Sequence, residues 1–249
     1  MYNYFDIQAK IGITKHMGGL NATQKLLEMC DVDKLDYLLV VGSGNGVSAI
    51  KIHKMTGCNV VGIDISEEMI LRAQEKLNSQ YSGIEFILGD AENIDFPDNT
   101  FDVVISESVT GFTNKKKSLS EYHRVLKKNG YIGLNEVTWL NNPSKELEEY
   151  SRKVMGLVAE TKESWLALLK NAGFNDIQSS VNAMSQWKQV YDDLELQSMD
   201  FFRIWSRFFH LYLFEREYRK SVHRLAWEAL HIPRKFNQYF AYGLYVGHK

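Results

Sequence analysis

The chain has 249 residues, 45% hydrophobic and 24% charged, with a formal net charge of −2. That composition fits one large globular domain, or one domain with an insertion, and excludes a general polyanion binder. Cys30 and Cys58 have no metal-ligand spacing, so no metal site is expected and a reducing, cytoplasmic setting is the default.

The first ten residues carry Asp6 and no apolar core stretch, which does not read as a signal peptide. No apolar run reaches the roughly 18 residues of a membrane span. Tyr2, Tyr4, Phe5, Ile7 and Ile11 are too many apolar side chains for a free tail. The loop from Thr14 to Leu20 then leads into a helix to about Cys30, with Asn21 or Thr23 as its cap. This segment is expected over the sheet edge or a ligand mouth. His16 has two open readings, a surface loop histidine or a ligand contact.

Leu38 to Gly46 reads Leu-Leu-Val-Val-Gly-Ser-Gly-Asn-Gly. A continuous apolar run suits a strand buried on both faces, and the glycines suit a turn where backbone approaches a ligand. Helical patterning follows from Val47. Strand, glycine turn and helix present backbone N–H groups to a nucleotide-like ligand. The dinucleotide fingerprint G-x-G-x-x-G would place its third glycine at Val47. Here that glycine is Gly46, which argues against a nicotinamide dehydrogenase.

Asn59 to Asp64 predicts the second strand, and Asp64 follows Gly42 by 22 positions, close to the distance expected for a ribose-binding carboxylate. Ser66 caps the next helix, with Glu67 and Glu68 in its first turn. Ile84 to Leu88 predicts the third strand, ending at Gly89-Asp90-Ala91. Phe101 to Ser106 predicts the fourth, ending at Glu107. A helix over Lys115 to Lys127 and a stop at Asn129-Gly130 precede a fifth strand over Tyr131 to Val137.

Four pieces in order carry a resemblance: Val-Val-Gly-Ser-Gly-Asn-Gly, Val-Val-Gly-Ile-Asp-Ile-Ser-Glu-Glu-Met, Gly-Asp-Ala-Glu-Asn-Ile-Asp-Phe-Pro-Asp-Asn-Thr-Phe-Asp-Val-Val, and Glu-Tyr-His-Arg-Val-Leu-Lys-Lys-Asn-Gly-Tyr. Over residues 34–139 the chain resembles the class I S-adenosylmethionine (SAM)-dependent methyltransferases of the ubiquinone/menaquinone-biosynthesis, or methyltransferase type 11, group. The resemblance implies an α/β fold: a seven-stranded, mostly parallel, Rossmann-like sheet, helices on both faces, the last strand antiparallel. It implies SAM as cofactor, with contacts at His16, Gly42, Ser43, Gly44, Asp64, Ile65, Asp90, Ala91 and Ser106. Gly42 and Gly44 would lie near the methionine moiety, Asp64 on the ribose and Asp90 at the adenine. One departure stands out. The family's usual acidic residue two positions before the first glycine is Val40 here, so a substitute carboxylate is expected from elsewhere.

The remainder is less patterned. Leu147 to Ala172 reads as mostly helical, and Asp176 to Val181 as strand six. About fifty residues, helical and aromatic, then intervene before an alternating final strand over Tyr239 to Val246. The reading is one domain over 1–249, with a lid segment at 1–30, a cofactor core at 34–139 and a helical insertion at 184–233. Phe201, Trp205, Phe208 and Tyr212 share one helix face, widened by Phe202 and Phe209. That stripe is expected to pack on the insertion or a second subunit, or to roof an acceptor pocket with Tyr4 and His16.

Glu107 is the candidate catalytic base or acceptor-orienting group, with Glu136 a second carboxylate for which pairing with a Lys or Arg is at least as good a reading. The Asn/Asp-Pro-Pro-Tyr motif of amino methyltransferases is absent, and its place reads Ser106-Glu107-Ser108-Val109. This favours a small-molecule acceptor, aromatic or lipid-like, over a nucleic acid. A silent SAM-binding module and a protein or nucleic-acid methyltransferase stay open. A homodimer through the aromatic insertion is a further expectation.

Overall fold

The computed structural model describes residues 1–77, 81–183, 186–196, 200–231, 233 and 236–249. Its centre is a sheet of β1 (Tyr37–Val41), β2 (Asn59–Asp64), β3 (Ile84–Leu88), β4 (Phe101–Glu107), β5 (Leu126–Trp139), β7 (Asn175–Ala183) and β8 (Phe240–His248), in the order β3-β2-β1-β4-β5-β8-β7. A two-residue strand, β6 (Glu160–Thr161), pairs with the far end of β5. β8 runs antiparallel to both neighbours, and the other pairings are parallel. The expected seven-stranded path is therefore present, with β6 as an addition.

β1 lies between β2 and β4, where the strand order reverses. Its alternation sends Leu38 and Val40 to one face and Leu39 and Val41 to the other. On the first face lie α2 (Gly19–Met29), α3 (Val47–Thr56) and α4 (Glu67–Gln74), through Leu26, Ile50 and Ile70. On the second lie α5 (Lys115–Val125) and α7 (Lys162–Asn171), through Leu119, Tyr122, Trp165 and Leu169. Each such aliphatic side chain contributes roughly 1.5–3 kcal/mol on burial, so strands apolar on both faces have no stable alternative to this sandwich.

Three local readings change. The helix expected over 115–127 ends at Val125, because Leu126 already pairs with Phe101 and begins β5. The helix expected over 147–172 is broken into α6 (Lys145–Tyr150), a π-turn over Ser151–Met155, β6 and α7; Gly156, at φ 70°, supplies the stop. The cap of α2 is Gly18, and Thr23 sits a turn inside the helix, for a reason the site explains.

α1 (Tyr4–Ile11) packs Ile7 and Ile11 against Tyr218 and Phe208 of the insertion. The insertion contains α8 (Gln186–Leu196), α9 (Phe201–Phe214) and α10 (Arg216–Leu230), and α11 (Phe236–Tyr239) leads into β8. Its expected boundary Met184 and the Trp187 side chain lie outside the described residues.

Candidate active site

The C-terminal ends of β1, β2, β3 and β4 converge at the point where the strand order reverses, the usual ligand crevice of an open α/β sheet. Gly44 and Gly46 sit at φ 54° and 82°, where L side chains are strained. A Cβ on Gly46 would meet Phe86 at 2.6 Å, so that glycine serves helix–sheet packing. A Cβ on Gly44 would come within 2.3 Å of Thr14 Oγ1, so that glycine admits a second piece of chain.

Asp64 fastens the turn. One carboxylate oxygen accepts the Gly44 N–H at 2.8 Å and the other the Ser66 N–H at 2.9 Å. Each oxygen keeps a lone pair for a ligand hydroxyl. Burial raises the Asp64 pKa, opposed by the two backbone bonds. The Ser43 hydroxyl is buried with no hydrogen-bond partner among the described residues. At the end of β3, exposed Asp90 accepts the Glu92 N–H at 2.8 Å, beside buried Ala91. Ile65 is exposed on the rim. The Ser106 hydroxyl is elsewhere: it bonds Thr110 Oγ1 at 2.9 Å on the α5 face, which leaves only its main chain towards the crevice.

A strap of residues 12–18 crosses the mouth. Asn45 Nδ2 donates to the Gly12 carbonyl at 2.7 Å, and the Asn45 N–H to Thr14 Oγ1 at 2.9 Å. Asn135 Nδ2 donates to the Met17 carbonyl at 2.7 Å, and the Met17 N–H to Ser108 Oγ at 3.3 Å. Ser108 holds φ 59°, a strained value for serine. Gln189 of α8 donates to the His16 carbonyl and accepts the Gly18 N–H, both at 3.1 Å.

The strap buries His16 against Glu107, with Nδ1 3.5 Å from Oε1. Neither ring nitrogen has a hydrogen-bond partner among the described residues. Glu107 also accepts from Thr23 Oγ1 at 2.9 Å, which is why Thr23 lies within α2 rather than capping it. Asn135 Nδ2 stands 3.4 Å from the same carboxylate. Val40 is buried in the core against the α2 side. Its neighbour in register is Ile105, so Glu107, two residues further, shares the Val40 face. The carboxylate missing at position 40 has a counterpart one strand over.

Glu136 pairs with neither Lys nor Arg among the described residues. It accepts the N–H groups of Val109, Thr110 and Gly111 at 3.1, 2.7 and 3.2 Å, capping the turn after β4. Burial pushes its pKa up to about 7, against the lowering effect of those three bonds. The folded state therefore holds this proton more tightly than the unfolded chain. The stability this confers is complete below the ordinary glutamate pKa and is lost as pH rises towards 7. The melting temperature of the wild type is expected to fall across that window relative to Glu136→Gln; parallel pH profiles would refute the assignment.

The apolar wall of the crevice is not the aromatic stripe. Trp205 is 45% exposed and meets Phe201, Phe208 and Phe209. Next to the strap a buried apolar cluster gathers at the far end of β5: Val137 and Trp139 with Leu157 and Phe240, and Met17 and Phe112 packed on them. A segment over the sheet edge or a ligand mouth was expected from sequence, with Thr23 as a cap candidate; the contacts that Thr23, Asn45 and Asn135 make here were not, since they join distant segments.

The donors and acceptors fit an adenosyl ligand: a glycine turn, a carboxylate with free lone pairs and an orphaned hydroxyl. A family model described as a methyltransferase domain matches residues 33–194. The ubiquinone/menaquinone biosynthesis C-methyltransferase of Escherichia coli O139:H28 is 30% identical over 178 residues, 67% of this chain and 68% of that protein. A phosphoethanolamine N-methyltransferase of Triticum aestivum is 28% identical over 163 residues, 64% of this chain but only 32% of that protein's length. Among solved structures, Haemonchus contortus phosphoethanolamine N-methyltransferase 2 in complex with S-adenosyl-L-methionine has a TM-score of 0.71 at 20% identity, covering 98% of this chain and 57% of that one.

Proposed function

The chain belongs to the class I SAM-dependent methyltransferases, with SAM as its cofactor, and from that premise we propose that it methylates a small, partly apolar acceptor held between the strap and the end of β5. One observation carries the reading: a buried His16 ring with unpartnered nitrogens, beside the Glu107 carboxylate, on the strand next to the glycine turn. When bound, SAM supplies an activated methyl on an excellent leaving group.

The chain must align, exclude water and take up a proton. In this reading Asp64 holds the ribose hydroxyls, and Asp90 and Ala91 meet the adenine. The strap excludes water, hydrogen-bonded at Asn45, Ser108, Asn135 and Gln189. With the bound cofactor supplying the methyl, His16 would take up the proton that the acceptor releases. Glu107 holds the resulting imidazolium, and Thr23 and Asn135 hold Glu107. The acceptor's apolar part would lie against the cluster of Val137, Trp139 and Leu157, buried beside Met17 of the strap, in keeping with relatives named for a quinone-pathway and a phosphoethanolamine acceptor.

The test is methyl-labelled SAM with separate panels of phenolic and quinol-type molecules, amino-alcohol phosphates, and protein or nucleic acid. Label in a small molecule supports the proposal; label confined to a polymer, or SAM binding without turnover on any panel, refutes it. The cofactor half has its own check. Asp64→Ala removes ribose acceptors and the anchor of Gly44, and is expected to weaken SAM binding by roughly 1–3 kcal/mol. Unchanged affinity by calorimetry would remove Asp64 from the site.

A further inference from the structure

Helix α9 carries a wide apolar arc, with Arg203, Ser206, Arg207 and His210 gathered on the remaining side. Its inner side, with Ile204, Phe208, Leu211 and Tyr212, is covered by Ile7 and Ile11 of α1 and Tyr218 of α10. Its outer side is not covered: Phe202 is 86% exposed, and Trp205, Phe209, Leu213 and Phe214 are exposed with it. An apolar arc wider than one neighbour covers, bounded by arginines, is the pattern of a helix that meets a second apolar surface. At 14 residues it is about 21 Å long, too short to cross a bilayer core of roughly 30 Å. Among the described residues, no helix is long and apolar enough to cross a membrane.

The charge around α9 selects the cover. Over the described positions 200–231 six Lys or Arg stand against Asp200 and three Glu, a net +2 within a chain of net −2. Arg203, Arg216 and Lys220 are exposed on α9 and α10, Arg203 within 3.9 Å of Asp200 and Lys220 within 3.1 Å of Glu217. A two-fold contact with a second copy would set this cationic segment against itself. An anionic lipid surface satisfies both features, taking the rings at headgroup depth and the cations on its phosphates.

We propose that the outer face of α9 docks the protein in the plane of an anionic lipid bilayer. This surface lies outside the cofactor crevice, and the inference does not depend on which acceptor is methylated. Behind α9 lies α1, which continues directly into the strap, so docking would set the closing segment of the site close to the bilayer surface.

The test is co-sedimentation of the full chain with phosphatidylcholine vesicles, with and without phosphatidylglycerol, in the absence of SAM. Binding to the mixed vesicles is expected to exceed binding to neutral ones by at least about tenfold and to weaken with salt. Phe202→Ser/Phe209→Ser changes exposed residues only, so melting temperature and SAM affinity should hold while vesicle binding falls at least about tenfold. Trp205 emission should shift to the blue on mixed vesicles, and Trp205→Phe should remove that part of the shift. Failure to bind mixed vesicles, or undiminished binding by the double variant, overturns the proposal. So does a stable wild-type dimer in sedimentation equilibrium that the same double substitution dissociates, which would assign the face to a second copy.

Discussion

Glu107→Gln is expected to lower turnover about 10²- to 10⁴-fold, the range of general acid–base catalysis, because His16 loses the neighbouring charge that lets it hold a proton. The amide keeps the shape of the carboxylate but cannot hold a positive charge on His16, 3.5 Å away. The Thr23 and Asn135 contacts leave a neutral replacement in place, so the melting temperature should change little. SAM affinity should stay within about threefold, because the loss falls on the transition state rather than on ground-state binding. Equilibrium calorimetry beside saturating kinetics separates the alternatives. A collapse in SAM affinity with turnover preserved at saturation would make Glu107 the anchor of the methionine ammonium group, in place of the acid missing at Val40.

Trp165→Ala is expected to cost about 3–5 kcal/mol of stability. The ring is fully buried on α7, packs against Tyr245, and donates from Nε1 to the Val137 carbonyl at 3.3 Å. Its removal leaves a cavity and takes one hydrogen bond from the Val137 carbonyl, next to Glu136. For a chain of this size that is a fall of roughly 6–20 °C in melting temperature. Denaturant titration should show a lower midpoint at unchanged slope. A shift under about 1 kcal/mol would mean that the α7 face of the sheet repacks, contrary to the close packing of the core.

What could be read before the fold was known follows from how local each feature is. The apolar run into Gly42, the cap at Ser66, and Asp64 at the end of β2 are set by residues a few positions apart. The sheet order and the central place of β1 follow from the same strand–helix alternation. The strap does not, because Thr14, His16 and Met17 meet partners at Asn45, Glu107, Ser108 and Asn135 that no periodicity connects. For Glu136 the sequence left a base or acceptor-orienting role and pairing with a Lys or Arg open; its carboxylate accepts three backbone N–H groups, a contact made by loop geometry after β4. The stripe on α9 was legible as a stripe. Spacing tells which rings share a face but not what covers them, and the outer rings turned out to face solvent rather than an acceptor.

The central claim is that cofactor and acceptor meet where the glycine turn faces the His16–Glu107 pair. A crystal structure with S-adenosylhomocysteine tests it most directly. The account predicts both ribose hydroxyls within hydrogen-bond distance of Asp64, the adenine at Asp90 and Ala91, and the sulfur directed towards His16 and Glu107 beneath a closed strap. A ribose held away from Asp64, or a sulfur opening onto the α5 side of the sheet with His16 remote from it, would contradict it.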